Sequence, residues 1–475
     1  MASAERAFID GKEGGGGALP GQVIAPATGL PCAEVIPAEP ADVEAAVAGA
    51  HRAWRGGWRD LAPGKRADLL RAVARQLAQH ADALARIESL NAGKPIADAR
   101  DEVGAAVRTF EHYAGAVTRL TGQTIPVARG GFDFTLRQPL GVVAAIVPWN
   151  FPLLIACWKV APALAAGNTV VLKPASLTPL TALRLGAIAR EAGLPPGVLQ
   201  VLPGPGSAIG DALVTHPLVR KIAFTGSTAV GSRLMALAAQ DLKRVSLELG
   251  GKSPNIVFAD ADVDKAAASS PLSVFANAGQ DCCARSRIFV ERKVFDRFMD
   301  GFVRATRALA VGDPSLESTQ VGPLVSPGQR EISERFLAEA KAAGRTVACG
   351  GERLFTNGFY LSPAVLLGVE PGDRVWREEV FGPVACVRPF DDEAAMLEEV
   401  NASPYGLSAS LWTNDLSRAL RVAARVESGV ISINCHNSVH LEAPFGGFKR
   451  SGIGRDLGDA ALESYTEVKN VYVAP

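Results

Sequence analysis

No sign of charge dominates this chain of 475 residues, in which 49 Lys and Arg stand against 49 Asp and Glu. Without a basic excess it lacks the electrostatic footprint of a nucleic-acid binder or of a protein drawn to an acidic membrane surface. Regular cysteine spacing is also missing. Seven cysteines, an odd count, argue against a disulfide framework and for a reducing compartment, so a cytoplasmic location is expected. The first twenty residues are polar and glycine-rich and hold no apolar run of signal-peptide length. No repeat of fixed period is present. One uncharged run, residues 140–158, is long enough to span a bilayer. Pro148 and Pro152 interrupt it, and Trp149-Asn150 put polar groups mid-span. It reads as a buried strand, Val142–Val147, a turn, and a helix from Phe151, so no membrane association is expected.

What is present is ordinary globular material, 48% hydrophobic and 21% charged. The length exceeds what one hydrophobic core usually organises, so more than one domain is expected. Helical spacing of apolar residues predicts helices at Asp42–Trp54, Lys65–Leu90 and Asp101–Leu120, the second ending at the cap signal Asn91-Ala92-Gly93-Lys94-Pro95. Phe132–Arg137 alternates like an exposed antiparallel strand. From Gly141 onward, runs rich in Val, Leu and Ile alternate with helical segments, with strands at Val142–Val147, Thr169–Leu172, Val198–Leu202, Lys221–Phe224 and Val245–Leu249. That pattern is a doubly wound parallel nucleotide-binding sheet. A second α/β series follows, with strands at Asn255–Phe258, Arg287–Glu291, Ala385–Phe390, Leu407–Trp412 and Val430–Ile433. The tail Tyr465–Val473 has strand composition and nothing after it to cover its edge, which suits pairing across a subunit boundary.

The chemistry concentrates at a few junctions. Gly279-Gln280-Asp281-Cys282-Cys283 lies between the helical run Val263–Phe275 and the strand Arg287–Glu291, where a thiol can face a cleft. A cysteine attacks as its thiolate and needs a base and an electrophile-binding group nearby; most free cysteines, by contrast, are small core residues. Gly204-Pro205-Gly206-Ser207-Ala208-Ile209-Gly210 nearly matches a glycine fingerprint for a pyrophosphate, its third glycine one residue late. Gly226, Ser227 and Gly231 punctuate a second strand-to-helix turn; both are also compatible with tight packing turns. Lys173 ends a strand at the edge where ligands bind such sheets, with Ser176 three residues on. Asn150, in Pro148-Trp149-Asn150-Phe151-Pro152, is either an oxyanion-binding amide or a cap for the following helix. Glu248, in an apolar strand end, would have a raised pKa suited to a general base, or else be a paired structural carboxylate.

Taken in order and spacing, these stretches resemble the aldehyde dehydrogenase superfamily, together with Glu379-Val380-Phe381-Gly382-Pro383, Pro444-Phe445-Gly446-Gly447-Phe448-Lys449 and Ser451-Gly452. The resemblance runs from about residue 20 to the C-terminus and implies an α/β fold: a doubly wound nucleotide-binding domain (1–118 and 139–250), an α/β catalytic domain (251–443) and a small β oligomerisation region (119–138 and 458–475). It implies NAD or NADP as cofactor, a small-molecule aldehyde as substrate, a homodimer or homotetramer, and no metal. On it, Cys282 is the nucleophile, Glu248 the base, Asn150 the oxyanion amide and Lys159 a proton-relay lysine. Trp149, Lys173, Ser176, Gly206, Gly226, Ser227, Gly231, Glu379 and Phe381 line the dinucleotide.

Ser176 stands where many NAD-preferring members carry glutamate, so NADP is not repelled. Phe151, Trp158, Val439 and Phe445 match positions along the aldehyde tunnel. Asp98, Asp101 and Glu102 start a helix resembling one at its mouth, and carboxylates there favour a cationic aminoaldehyde or betaine aldehyde; acids at a helix start also simply complement its dipole. Glu467 matches a glutamate placed between two arginines, here Arg244 and Arg455. The alternatives are an NADP-preferring semialdehyde dehydrogenase, a CoA-acylating relative, against which Glu248 speaks, and a catalytically silent protein on the same fold.

Overall fold

A computed structural model describes residues 4–17, 19–436 and 439–475. Among them the chain builds two large sheets, one three-stranded sheet and two two-stranded ribbons. The first is centred on Leu199–Val201, Thr169–Lys173, Val142–Ile146, Val219–Thr225 and Arg244–Glu248, all parallel and in that spatial order. Their residues are almost wholly buried, as expected of strands covered on both faces by helices. Antiparallel ribbons close both edges: Phe8–Ile9 beside Leu199–Val201, and Gly452–Ile453 beside Arg244–Glu248.

The strand order reverses between Val142–Ile146 and Val219–Thr225, the place where the loops leaving the strands part and a crevice opens. Pro148-Trp149-Asn150 and Gly226-Ser227 leave the sheet there. The second sheet runs Ala364–Leu367, Val384–Phe390, Arg287–Glu291, Pro254–Val257, Ser408–Trp412 and Val430–Ile433, again parallel, with Thr346–Cys349 antiparallel at one edge. Both α/β series read from the sequence are therefore present.

Some expectations need correction. The single helix expected over Lys65–Leu90 is two, Pro63–Gln79 and Ala81–Ala92. His80 between them leaves helical geometry (φ −95°, ψ 7°), and both helices then pack on Ile96–Ala116 and Leu180–Glu191. The third helix starts at Ile96, five residues before Asp101, directly after Pro95. The hairpin Gly21–Ala25 with Leu30–Val35, and the strand Ala364–Leu367, carried too little alternation to be read. The C-terminal strand, Thr466–Val473, pairs in full register with Phe132–Pro139 of the same chain, so it has a partner; its other edge is open. The uncharged run 140–158 is indeed strand, turn and helix, and no described helix is long and apolar enough to cross a membrane.

Candidate active site

The loop that carries Cys282, the candidate nucleophile, is built by a backbone that few side chains tolerate. After helix Val263–Phe275 the residues Asn277 (φ 51°), Ala278 (φ 56°) and Gly279 (φ 72°) are all left-handed. Two of the three are not glycine, and strain of this kind persists only when the surroundings over-determine it. Gln280 supplies that determination. Its side chain donates to the Asn277 carbonyl (2.9 Å) and accepts from the Val325 N–H (2.8 Å). Gly279 lies so close to the Gly382 carbonyl that any Cβ would collide. The loop thus presents Cys282 from the second sheet's side.

Asn150 and Glu248 arrive from the first sheet. Asn150 Nδ2 donates to the Gln280 carbonyl (3.0 Å), and the Asn150 carbonyl accepts from Asn277 Nδ2 (3.0 Å), so the two loops clasp each other. The cap reading of Asn150 fails: Phe151 is the N-cap of helix Pro152–Ala165 and no side chain caps it. An amide carries two N–H donors, and one remains for a ligand. Glu248 ends its strand in register with Thr225. The Cys282 thiol donates to its Oε2 at 4.0 Å, while Oε1 is buried without a partner.

Two cavities meet at this pair. A larger one, about 560 Å³, is walled by Phe151, Leu154, Ile155, Trp158, Leu441 and Phe445, with Val439 and Ala105 alongside. A smaller one, about 220 Å³, is bounded by Trp149, Asn150, Thr225, Gly226, Ser227, Glu379 and Phe381. Cys282 and Glu248 line both. Trp149 and Phe381 meet edge to face at 5.1 Å, as do Trp158 and Phe445 at 5.4 Å.

The electrostatics fit a resting nucleophile. The Cys282 thiol is pushed well above its ordinary range, first by the hydrogen bond it shares with the Cys283 thiol, then by burial and the charge on Glu248. Burial pushes Glu248 well above the usual carboxylate range; Cys283 and Asp456 add to the shift and Lys159 opposes it. Lys159 does not reach a cavity. Its Nζ is fully buried and donates to Asp456 Oδ2 at 2.8 Å. Glu379 is raised to about 7 by burial, against the Gly251 N–H that donates to Oε1 at 2.9 Å.

The smaller cavity fits a nicotinamide cofactor on chemistry the chain leaves open. Thr225 Oγ1 and Glu248 Oε1 are buried polar atoms with no protein partner, and two aromatic rings form a wall. Lys173, Ser176, Gly206 and Gly231 lie at the ends of neighbouring strands, outside this cavity. Lys173 is buried and donates to the Pro174 carbonyl (2.7 Å), with burial lowering its pKa to about 8. Ser176 is exposed. Gly206 opens a wide helical turn, Gly206–Gly210, and Gly231 packs against Leu249. Ser227 caps helix Thr228–Ala239 by accepting from the Val230 N–H at 3.4 Å.

At the tunnel mouth the expectation holds only in part. Asp101 is exposed and does not line the cavity; because the helix begins at Ile96, Asp98 falls in its first turn and reaches the rim. Glu102 is buried and ion-paired to Lys94, whose Nζ lies 4.2 Å from the centroid of the Phe151 ring. Asp281, Arg108 and Glu442 also line the cavity and were not singled out from the sequence. Asp281 was adjacent to the nucleophile in plain view, but adjacency does not say which way a side chain points.

Fold, crevice, buried carboxylate and thiol together define an oxidoreductase site, and the comparisons agree. The aldehyde dehydrogenase family profile matches residues 17–471, and the chain belongs to that family. It is 44% identical over 455 residues to human retinal dehydrogenase 2, covering 95% of this chain and 88% of that one. To betaine aldehyde dehydrogenase 1 of Oryza sativa subsp. japonica it is 44% identical over 459 residues, covering 94% and 91%. The NAD+ complex of aldehyde dehydrogenase from Bacillus cereus superposes with a TM-score of 0.97 at 40% identity, covering 99% and 96%. The protein is an NAD(P)-dependent aldehyde dehydrogenase that oxidises an aldehyde to the carboxylic acid.

Proposed function

We propose that this chain carries out the oxidation in two covalent stages on Cys282. The Cys282 thiol passes its proton to Glu248 Oε2, 4.0 Å away, which releases it to solvent. The sulfur adds to the aldehyde carbon, giving a thiohemiacetal whose alkoxide is steadied by the free amide N–H of Asn150 and the backbone N–H of Cys282. The cofactor, when bound, accepts the hydride that leaves this carbon. A thioester on Cys282 remains. Glu248 takes a proton from water as the water attacks it, the acid departs, and the thiol is restored. A carboxyl whose proton affinity is raised by burial is suited to that task, and Lys159 with Asp456 holds balancing charge behind it.

The observation that carries this reading is that Cys282 and Glu248 alone, among the described residues, border both cavities. Aldehyde entering through one and cofactor through the other would meet at the same sulfur. Trp149, Gly226, Ser227, Glu379 and Phe381 would hold the nicotinamide half, with Lys173, Ser176, Gly206 and Gly231 serving the rest of the dinucleotide. An exposed Ser176 puts no carboxylate against a 2′-phosphate, so NAD and NADP are both accepted.

The substrate carries positive charge, as an aminoaldehyde or betaine aldehyde would. Asp98 and Glu442 at the cavity rim support this, as does the likeness to a betaine aldehyde dehydrogenase. Residues 1–118 with 139–250, residues 251–443, and residues 119–138 with 458–475 act as nucleotide-binding, catalytic and assembly units. The open edge of Thr466–Val473 supports a homodimer or homotetramer, and an odd count of irregularly spaced cysteines suits a cytoplasmic enzyme.

The test is absorbance of reduced nicotinamide after mixing protein, aldehyde and NAD or NADP, with and without CoA. Reduction without CoA, with carboxylic acid as product, is expected. A strict requirement for CoA would replace hydrolysis by acyl transfer and remove the role given to Glu248.

A further inference from the structure

We propose that Asp281 is the specificity anchor of the aldehyde cavity and that it selects a primary ammonium group on the substrate over a quaternary ammonium or an uncharged tail. This rests on the cationic-aldehyde reading above and names the residue and the amine class that reading leaves open.

Four observations carry it. Asp281 lines the 560 Å³ cavity directly beside the nucleophile. A carboxylate oxygen of Asp281 and the sulfurs of Cys282 and Cys283 all lie within 4.8 Å of one another. One oxygen is fixed, since Oδ1 accepts from the Cys283 N–H at 2.8 Å, and the carboxyl's other contact is with the Cys282 thiol itself, at the reacting end of the cavity. Lys94 and Arg285 are hydrogen-bonded elsewhere and offset its charge only in part. Lys94 is bound to Glu102, and Arg108 lies at the exposed end of the cavity. Burial holds the Asp281 carboxyl above its usual range, and the Cys283 N–H, Arg285 and Lys94 oppose that only in part. An incoming cation would favour the ionised form.

Reach and donor chemistry select the amine. An ammonium nitrogen three bonds from a carbonyl carbon lies about 4 Å from it, given ordinary C–C and C–N bond lengths. A carboxylate oxygen within 4.8 Å of the sulfur is inside the reach of such an ammonium group once the carbonyl carbon is at the sulfur. A primary ammonium has three N–H donors for a carboxylate oxygen. A quaternary ammonium has none and depends on aromatic faces. One face of Phe151 is already occupied by Lys94, and Trp158 and Phe445 meet edge to face.

The experiment measures kcat/KM of the full-length enzyme for 3-aminopropanal, for butanal as its uncharged isostere, and for betaine aldehyde, in wild type, Asp281→Asn and Asp281→Glu. Wild type should favour 3-aminopropanal over butanal. In Asp281→Asn that ratio should fall about 30-fold, which is about 2 kcal/mol at about 1.4 kcal/mol per factor of ten, the size of a charge-assisted hydrogen bond. The betaine aldehyde to butanal ratio should change much less, and Asp281→Glu should recover part of the loss. A thermal melt matching wild type verifies that each variant is folded. A ratio within threefold of wild type in Asp281→Asn overturns the anchor while leaving a cationic substrate standing; absence of any preference in wild type overturns both. Independently of any variant, n-propylammonium should inhibit butanal oxidation competitively and more strongly than tetramethylammonium, and the reverse order refutes selection of a primary amine.

Discussion

The Sγ of Cys282 and the Oε2 of Glu248 lie 4.0 Å apart across the point where the two cavities of this protein join. One residue comes from a strained loop packed on the second sheet, the other from the last parallel strand of the first. Their meeting places the candidate reactive centre between the two large sheets.

Cys282→Ala should abolish turnover and leave cofactor binding measurable by fluorescence titration. Cys283→Ala should keep turning over. Because the shared thiol–thiol hydrogen bond is the first cause holding the Cys282 thiol high, its loss should move the pH profile of Cys282 alkylation to lower pH. A profile unmoved in Cys283→Ala, or turnover in Cys282→Ala, would contradict the assignment.

Asn150→Ala should lower kcat by about 100- to 1000-fold, or ~2.7–4 kcal/mol, the usual effect of losing an oxyanion donor. The same change removes the hydrogen bond to the Gln280 carbonyl, so a thermal melt is needed alongside. A kcat within twofold of wild type would leave Asn150 a purely structural clasp.

Glu248→Gln should trap the acyl-enzyme. Stopped-flow absorbance is expected to show a burst of reduced nicotinamide, about one per site, followed by slow steady turnover. Normal steady-state turnover would mean that another group activates water.

Glu379 gives a pH signature. Its carboxyl titrates near 7 instead of in the ordinary carboxylate range because it is buried. Below 7 it is protonated and loses acceptor capacity; above 7 it can accept from two hydroxyls. Cofactor affinity should therefore rise as pH passes upward through about 7, and Glu379→Gln should flatten that dependence. In the free protein the sign is opposite. A raised carboxyl contributes stability that is complete below its unfolded pKa and is lost as pH rises through about 7. Isothermal titration from pH 5.5 to 8.5 separates the two.

Glu467→Lys tests assembly. Glu467 and Arg244 form a two-pronged ion pair at 2.7 and 3.0 Å, tying the small sheet to the nucleotide-binding strand Arg244–Glu248. Arg455 of the same chain donates instead to the Gly447 and Gly454 carbonyls. With Arg244 and Glu467 each more than half exposed in one chain, the pair contributes under about 1 kcal/mol by itself. Any larger effect of Glu467→Lys on cofactor Kd must come through an assembled interface. Light scattering should find a dimer or tetramer, and cofactor affinity should fall in the variant. A fully active monomer would remove the assembly claim.

The sequence by itself determined the two α/β series, because strands buried on both faces must be continuous apolar runs and their crossovers must carry helical periodicity. It also determined which residues could do chemistry. Cys282, Glu248 and Asn150 stand at strand or helix ends, where a chain of this class opens its crevice, and their motifs are spaced too specifically for accident. Strands such as Ala364–Leu367, and the break at His80, escaped because four-residue runs and single non-helical residues leave no periodic trace. Only the tertiary structure decided direction and partnership. It turned Asp281 into the cavity, left Asp101 in solvent, paired Glu102 with Lys94, and gave the C-terminal strand a partner more than three hundred residues earlier. Those outcomes depend on contacts between residues far apart in sequence, and local spacing holds no record of what lies across the gap.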